Sequence, residues 1–129
     1  VKNQTEKFRK KSGKGEKKMK TEKSLISGST AMLILKLLSE KDMYGYEMIE
    51  TLQERSENVF ELKAGTLYPL LHSLEEKSFL TCYEQEAQGK VRKYYHITGT
   101  GRRELKEKKK AWETYARAVS NVLCWEGSL

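Results

Sequence analysis

The apolar residues of this chain change their spacing near Leu80, and that change limits the folds that the chain can adopt. Between residues 67 and 74, leucines recur at i, i+3, i+4 and i+7, which is the pattern of one helix face. From Leu80 to Glu86 and from Val91 to Ile97 the sequence is instead rich in Tyr, Val, Thr and Ile, with Gly89 between the two runs. This pattern predicts a β-hairpin that directly follows a helix.

Helical spacing also precedes and follows the hairpin. Apolar residues predict a first helix from Ser27 to Ser39, with Ser27 as its N-cap, and a second from Tyr44 to Arg55. Thr98 is suited to cap a long fourth helix that ends near Cys124. Apolar residues spaced by seven, interrupted by one lysine, give that helix a short seam typical of a coiled coil. The seam consists of Leu105, Lys108, Trp112, Tyr115, Val119 and Val122.

The order helix, helix, helix, hairpin, long helix predicts a mainly α-helical fold with a small β-hairpin. It is the order of a winged helix-turn-helix DNA-binding domain, in which the third helix enters the major groove. We therefore expect this domain at residues 19–97. Residues 98–129 are expected to form a C-terminal dimerisation helix.

Most of the net charge of +7 lies in residues 1–18, which hold eight Lys or Arg and two Glu. This stretch lacks apolar periodicity and is expected to be a disordered basic tail. Three origins stay open: a basic arm for DNA phosphates, vector-derived residues, or translated upstream sequence. The third has a hint, since Lys14-Gly15-Glu16 can be encoded with the ribosome-binding sequence AAGGAG shortly before Met19. On that interpretation the tail is non-native and the chain begins at Met19.

The remaining charge separates along the chain. Residues 40–61 carry seven acids and two bases, whereas residues 80–110 carry nine bases and four acids. Such a distribution can present one basic face to a nucleic acid. The absence of a long apolar run predicts a protein outside the membrane, and two unpaired cysteines fit the cytoplasm. No catalytic, cofactor or metal-binding pattern stands out, so we expect no enzyme activity, cofactor or metal.

The third helix has an unusual beginning. Gly65 and Thr66 are small, and the only proline, Pro69, follows shortly after. Small residues let a helix start approach a phosphate, which its N–H groups and dipole favour. A helix that begins after Thr66 tolerates the proline, whereas one that begins at Ala64 loses one backbone hydrogen bond. Tyr68 and His72 are expected to project toward DNA.

Four stretches together resemble the PadR family of bacterial transcriptional regulators. They are YGYEM at 44–48, GTLYPLLHSLEEKSFL at 65–80, GKVRKYYHIT at 89–98 and the last glycine of TGTG, Gly101. The resemblance covers residues 25–123 and implies a homodimeric winged-helix protein, usually a repressor. It places Tyr44 on phosphate, the GTLYP stretch at the DNA-facing helix start, and Lys90 and Arg92 on the wing. The preceding Lys63 and Ala64 lie where members vary, so no operator sequence is implied.

The residues predicted to bind DNA are Tyr44, Lys63, Gly65, Thr66, Tyr68, Pro69, His72, Lys90, Arg92 and Lys93. The helix seam from Leu105 to Val122 is predicted to form the dimer interface and the effector site. Two roles remain open for Trp112: packing between subunits, or, by resemblance to multidrug-sensing members, stacking against a flat aromatic effector.

Three other features of the sequence have simpler explanations. The hairpin tyrosines are expected to pack the sheet and the first helix, and His96 to be an ordinary strand residue. Glu75 and Glu76 are expected to form a solvated face.

The predicted function is a sequence-specific DNA-binding regulator, a repressor released by a small-molecule effector. The alternative is a winged-helix module that binds protein instead of DNA.

Overall fold

The computed structural model describes residues 29–126. The predictions for the tail at residues 1–18, for a start at Met19 and for capping by Ser27 lie outside these residues. The described elements are α1 (Thr30–Glu40), β1 (Met43–Tyr44), α2 (Gly45–Arg55), α3 (Ala64–Glu76), β2 (Leu80–Ala87), β3 (Lys90–Ile97) and α4 (Gly99–Leu123). This order confirms the predicted winged-helix fold with a long C-terminal helix.

The three strands form one antiparallel sheet in the order β1–β3–β2. The sequence did not predict β1, because two residues are too few to show a period. The β2–β3 turn consists of Gln88 and Gly89, whose φ angles are 54° and 80°. Two consecutive positive φ angles match the twist of a two-residue hairpin, and glycine adopts such an angle without strain. The hairpin is therefore confirmed, and each strand is one residue longer than predicted.

The core lies between the first three helices and one face of the sheet. On α3, Leu67, Leu71 and Leu74 are buried and Leu70 is half-buried, as helical spacing requires. The largest fully buried side chains come from all of these elements. They are Ile34, Leu35, Leu38, Met43, Met48, Leu67, Leu71 and Ile97.

Two helices end in the same way without using glycine. After α3, Ser78 has a φ of 65°, its N–H donates to Glu75, and the N–H of Phe79 donates to Leu74. After α2, Glu57 has a φ of 54° and the N–H of Asn58 donates to Gln53. These are the two bonds of a Schellman motif, which usually places glycine at the left-handed residue. Each helix thus stops sharply although its sequence carries no glycine signal.

The start of α4 is fixed to the end of α3. The hydroxyl of Thr98 accepts a bond from the N–H of Gly101 at 2.9 Å, which confirms the predicted N-cap. That hydroxyl also donates to the carbonyl of Ser78 at 2.7 Å, and the N–H of Thr98 donates to Phe79 at 3.0 Å. A β-carbon at Gly101 would collide with the Phe79 carbonyl. The glycine therefore allows α4 to pass close to the preceding turn.

Candidate nucleic-acid interface

The beginning of α3 is exposed along its outer side. The helix starts at Ala64, and Lys63 stands at its N-cap position without a side-chain cap bond. Six residues predicted to contact DNA are exposed here: Lys63, Gly65, Thr66, Tyr68, Pro69 and His72. The structure thus brings the predicted α3 set together on the solvent-facing side of about the first two and a half turns of α3.

Pro69 is the sixth residue of α3, not one of its first four. An N–H at this position would donate to the carbonyl of Gly65, so the proline removes one helical bond. The interpretation that the proline occupies a position with no intrahelical acceptor is therefore wrong. Both residues are exposed, so water can reach the Gly65 carbonyl.

The side chain of Tyr68 connects α3 to the start of α2. Its hydroxyl end lies against Gly45, where a β-carbon would come within 2.7 Å of Cζ and closer still to the hydroxyl oxygen. Gly45 is buried, whereas Tyr68 remains 43% exposed. A residue with a side chain at position 45 would push the ring outward. The motifs YGYEM and GTLYP therefore meet in space.

Tyr44, the residue before Gly45, lies next to the wing. The guanidinium carbon of Arg92 lies 4.4 Å from the centre of the Tyr44 ring. This is the geometry of a cation–π contact. Tyr44 pairs with Tyr94 in the β1–β3 register, and Arg92 is two residues earlier on the same face of β3. The predicted phosphate-contacting tyrosine and the predicted wing arginine are thus one cluster.

A row of three tyrosines crosses this face of the sheet. Tyr94 contacts the ring of Tyr44 edge-on, with centroids 5.5 Å apart, and stacks on Tyr83 at 5.7 Å. Tyr83 donates its hydroxyl to Asp42 at 2.7 Å, which raises the pKa of Tyr83 to about 12. The expectation that the tyrosines pack the sheet holds for this row. Tyr95 lies on the opposite face and is buried.

Asp42 joins the row to His96. The imidazole Nδ1 lies 2.9 Å from the second carboxylate oxygen of Asp42. Partial burial by itself would raise the pKa of Asp42, but the hydrogen bonds from Tyr83 and His96 outweigh it and lower that pKa. His96 is thus a hydrogen-bonded strand residue, as predicted.

The wing cations do not all share one face. Lys90 and Arg92 alternate with Lys93, which lies 5.7 Å from the ring centre of Tyr95 on the face toward α3. On this face the pKa of the Cys82 thiol is raised, mainly by its hydrogen bond to Glu75 and further by burial. Glu75 is half-buried, so the expectation of a solvated face is wrong for it and holds for exposed Glu76. The carboxylate of Glu75 faces the side of the hairpin that carries Cys82 and Lys93.

Lys41 was missed by sequence reasoning. Its ammonium lies 2.8 Å from Glu47, and this hydrogen-bonded pair raises the pKa of Lys41, with smaller contributions from Tyr94 and Tyr44. Lys41 is thus an ion-paired cation close enough to Tyr44 and Tyr94 to interact with them electrostatically. A lone lysine in a loop gives no pattern by which the sequence could identify it.

The seam of α4 is exposed in the single chain. Leu105 and Lys108 are half-buried, and the four later members are exposed: Trp112, Tyr115, Val119 and Val122. The rings of Trp112 and Tyr115 lie 6.2 Å apart. Leu123 is exposed as well, so α4 presents five large apolar side chains to solvent after residue 111.

Among residues 29–126, no group of three or more His, Cys, Asp and Glu is placed to hold a metal ion. In the same part of the chain, no helix has the length and apolar character needed to cross a membrane.

The sequence of this chain matches a known protein family. Residues 34–107, more than half of the chain, match the Transcriptional regulator PadR-like family. The chain belongs to this family of transcriptional regulators. PadR-like regulators are DNA-binding proteins and not enzymes, which agrees with the expected non-enzymatic function.

Individual relatives support the assignment. The chain is 39% identical over 89 residues to an uncharacterised protein of Lysinibacillus sphaericus, covering 68% of this chain and 82% of that protein. It is 39% identical over 67 residues to the transcriptional regulator Rv3488 of Mycobacterium tuberculosis, covering 52% of this chain and 63% of that protein. A PadR family regulator from Eggerthella lenta has the same fold, with a TM-score of 0.74 and 30% identity over 88% of this chain and 96% of that one.

Proposed function

We propose that this PadR-like regulator is a dimeric repressor that binds an operator through α3 and its wing. The observation that carries the proposal is a continuous chain of contacts from the exposed start of α3 to the hairpin. Tyr68 lies on Gly45, Tyr44 directly precedes Gly45 along the chain, and Arg92 stands over the ring of Tyr44. A duplex that meets the start of α3 therefore also meets Arg92, which lies on the ring of Tyr44.

The residues of this path divide between reading and holding DNA. Tyr68 and His72 project from α3, where a recognition helix reaches base edges. Lys90 and Arg92 lie on the wing and are placed to neutralise phosphates. No side chain caps the start of α3, and the N–H of Gly65 there favours a further phosphate, whereas the N–H of Thr66 already donates to the Lys63 carbonyl at 2.9 Å. Lys93, on the opposite face, is proposed to contribute less than its two neighbours.

A dimer accounts for the exposed seam of α4. Trp112, Tyr115, Val119 and Val122 form an apolar strip that a second α4 would cover in a coiled-coil-like pairing. A two-fold axis through such a pair would set two recognition helices on successive major grooves, about 34 Å apart. The operator is then a pseudo-palindrome.

Release by an effector is proposed at the same seam. A flat aromatic compound could stack on Trp112, and Lys108, one turn earlier, would favour an anionic one. Such a ligand changes DNA binding only if it binds the two arrangements of the dimer unequally.

A mobility-shift titration with the DNA upstream of the gene tests the function. We expect binding to that duplex over random duplex, with an affinity that falls steeply as salt rises. Tyr68→Ala should weaken operator binding more than random binding, and Arg92→Ala should weaken both equally. Salt-insensitive association with a protein, and no duplex binding, would instead support the protein-interaction alternative.

A further inference from the structure

The wing is only partly supported by the rest of the sheet. Strand β1 pairs with β3 at Tyr94 and Tyr95 alone, so the hairpin beyond these residues consists of two strands. The residues of this outer part are mostly exposed. An isolated two-stranded ribbon is marginally stable in water. Arg92 lies in this part, opposite Gln85.

The Tyr44 ring provides a fixed support for that arginine. Tyr44 is half-buried and lies at the junction of β1 and α2. Its ring is held edge-on by Tyr94, which stacks on Tyr83. Tyr83 is in turn bonded to Asp42. Arg92 therefore rests on a ring whose orientation the body of the domain determines.

We propose that Tyr44 is a positioning residue, whose ring holds the guanidinium of Arg92 ready for a DNA phosphate. The proposal rests on the DNA-binding function above and assigns a role to the ring, whereas a direct contact would depend on the hydroxyl. One face of a planar guanidinium can lie on an aromatic ring while its N–H groups point sideways to an anion. The contact with Tyr44 therefore leaves Arg92 able to bind phosphate.

A double-mutant cycle measures the coupling. Affinity for a mixed-sequence duplex is determined at several salt concentrations for wild type, Tyr44→Ala, Arg92→Ala and the double variant. A mixed-sequence duplex suffices because phosphate contacts do not depend on sequence. We expect the two substitutions to be non-additive by about two- to five-fold per subunit, the range of an exposed cation–π contact.

The conservative variant and the salt slope separate the two roles of Tyr44. Tyr44→Phe keeps the ring and should bind within about two-fold of wild type, with an unchanged slope. Arg92→Ala should reduce the slope by about one unit per subunit. Tyr44→Ala should also reduce the salt slope. Tyrosine carries no charge and releases no counterion itself, so the reduction would come from an Arg92 side chain that is no longer held near the phosphate.

Lys90 provides the matched control. It lies on the same face of β3 as Arg92, but among residues 29–126 the cations that stand over a tyrosine ring are Arg92 and Lys93. Lys90→Ala should therefore be additive with Tyr44→Ala. Circular dichroism and thermal unfolding of each variant confirm that it is folded.

Three results would overturn the proposal. Additive effects of Tyr44→Ala and Arg92→Ala would mean that the ring does not position the arginine. A loss in Tyr44→Phe as large as in Tyr44→Ala would assign the effect to the hydroxyl. Wild-type protein that binds duplex without salt dependence would overturn the proposed function as well, whereas the first two results leave that function intact.

Discussion

The hydroxyl end of Tyr68 lies on the backbone of Gly45, and no side chain fits between them. This contact joins the recognition helix to the start of α2. It also fixes which way the Tyr68 ring points on the proposed DNA-binding face. A substitution at a buried glycine can thus alter an exposed contact residue.

Gly45→Ala should reduce operator binding with little change in stability. Its β-carbon would meet only the ring of Tyr68 among its nearest neighbours, and an exposed ring can swing away. We expect the free energy of unfolding to change by less than about 1 kcal/mol. Operator affinity should fall to about that of Tyr68→Ala, measured by mobility shift.

The double variant Gly45→Ala/Tyr68→Ala is the control for this prediction. If the alanine acts by displacing the ring, it has no further effect once the ring is absent. Operator binding by Gly45→Ala at wild-type strength would show that the position of Tyr68 is unimportant.

Gly101→Ala should destabilise the protein, although alanine usually stabilises a helix. Its β-carbon would collide with the backbone carbonyl of Phe79 and lie 2.8 Å from Cγ1 of Ile97. Backbone cannot move aside as a surface ring can, so we expect a loss of about 1–3 kcal/mol in urea unfolding.

Gly99→Ala is the matched control, since its β-carbon would have no neighbour within 4 Å. It should be neutral or slightly stabilising, because alanine favours a helix by up to about 1 kcal/mol over glycine. Equal stability of the two variants would contradict the steric explanation for Gly101.

The ion pair between Glu40 and Arg55 predicts a pH dependence of stability. Arg55 binds both carboxylate oxygens, with Nη1 at 3.0 Å from Oε2, and Lys36 lies 3.4 Å away. The bond from Arg55 is the main reason that the pKa of Glu40 falls from 4.5 to about 2. A lowered folded-state pKa stabilises the fold above pH 4.5, and this contribution disappears as the pH falls toward 2.

Glu40→Gln should therefore be less stable than wild type at pH 7, and the difference should shrink between pH 4.5 and 2. Thermal unfolding across that range measures it. Glu50→Gln, at an exposed position of α2, is the control and should follow the wild-type curve. A difference that stays constant down to pH 2 would rule out the ion pair as its cause.

The sequence predicted the elements that have a clear period or cap. The leucine spacing of α3, the change of period at Leu80 and the cap at Thr98 each depend on neighbours within a few residues. Local patterns of this kind are visible without tertiary information. The end of α2 at Arg55 was predicted, whereas no glycine indicates the end of α3, where Ser78 takes a left-handed angle that glycine usually adopts.

The contacts within the candidate site could not be predicted in the same way. Strand β1 has two residues, yet its register with β3 determines that Tyr44 lies beside Arg92. The contact of Tyr68 with Gly45 joins residues that are far apart along the chain. Sequence identified these residues separately, but only the packing of α2 against α3 and β3 brings them together.

The last prediction concerns Trp112, the central residue of the α4 seam. Its side chain is 49% exposed in the single chain and lies next to Tyr115. An aromatic residue at a helix–helix interface buries about 150–250 Å², which makes a large contribution to association. We therefore expect Trp112→Ala to weaken the proposed dimer, and light scattering at micromolar concentration should detect monomer.

Trp125→Phe, beyond the end of α4, should leave the dimer intact and make Trp112 the only tryptophan. Planar aromatic compounds can then be titrated against its fluorescence. A Trp112→Ala protein that dissociates, with no quenching in Trp125→Phe, assigns Trp112 to packing. A Trp112→Ala dimer that still binds DNA but no longer releases it with the compound would contradict the packing role and support an effector site.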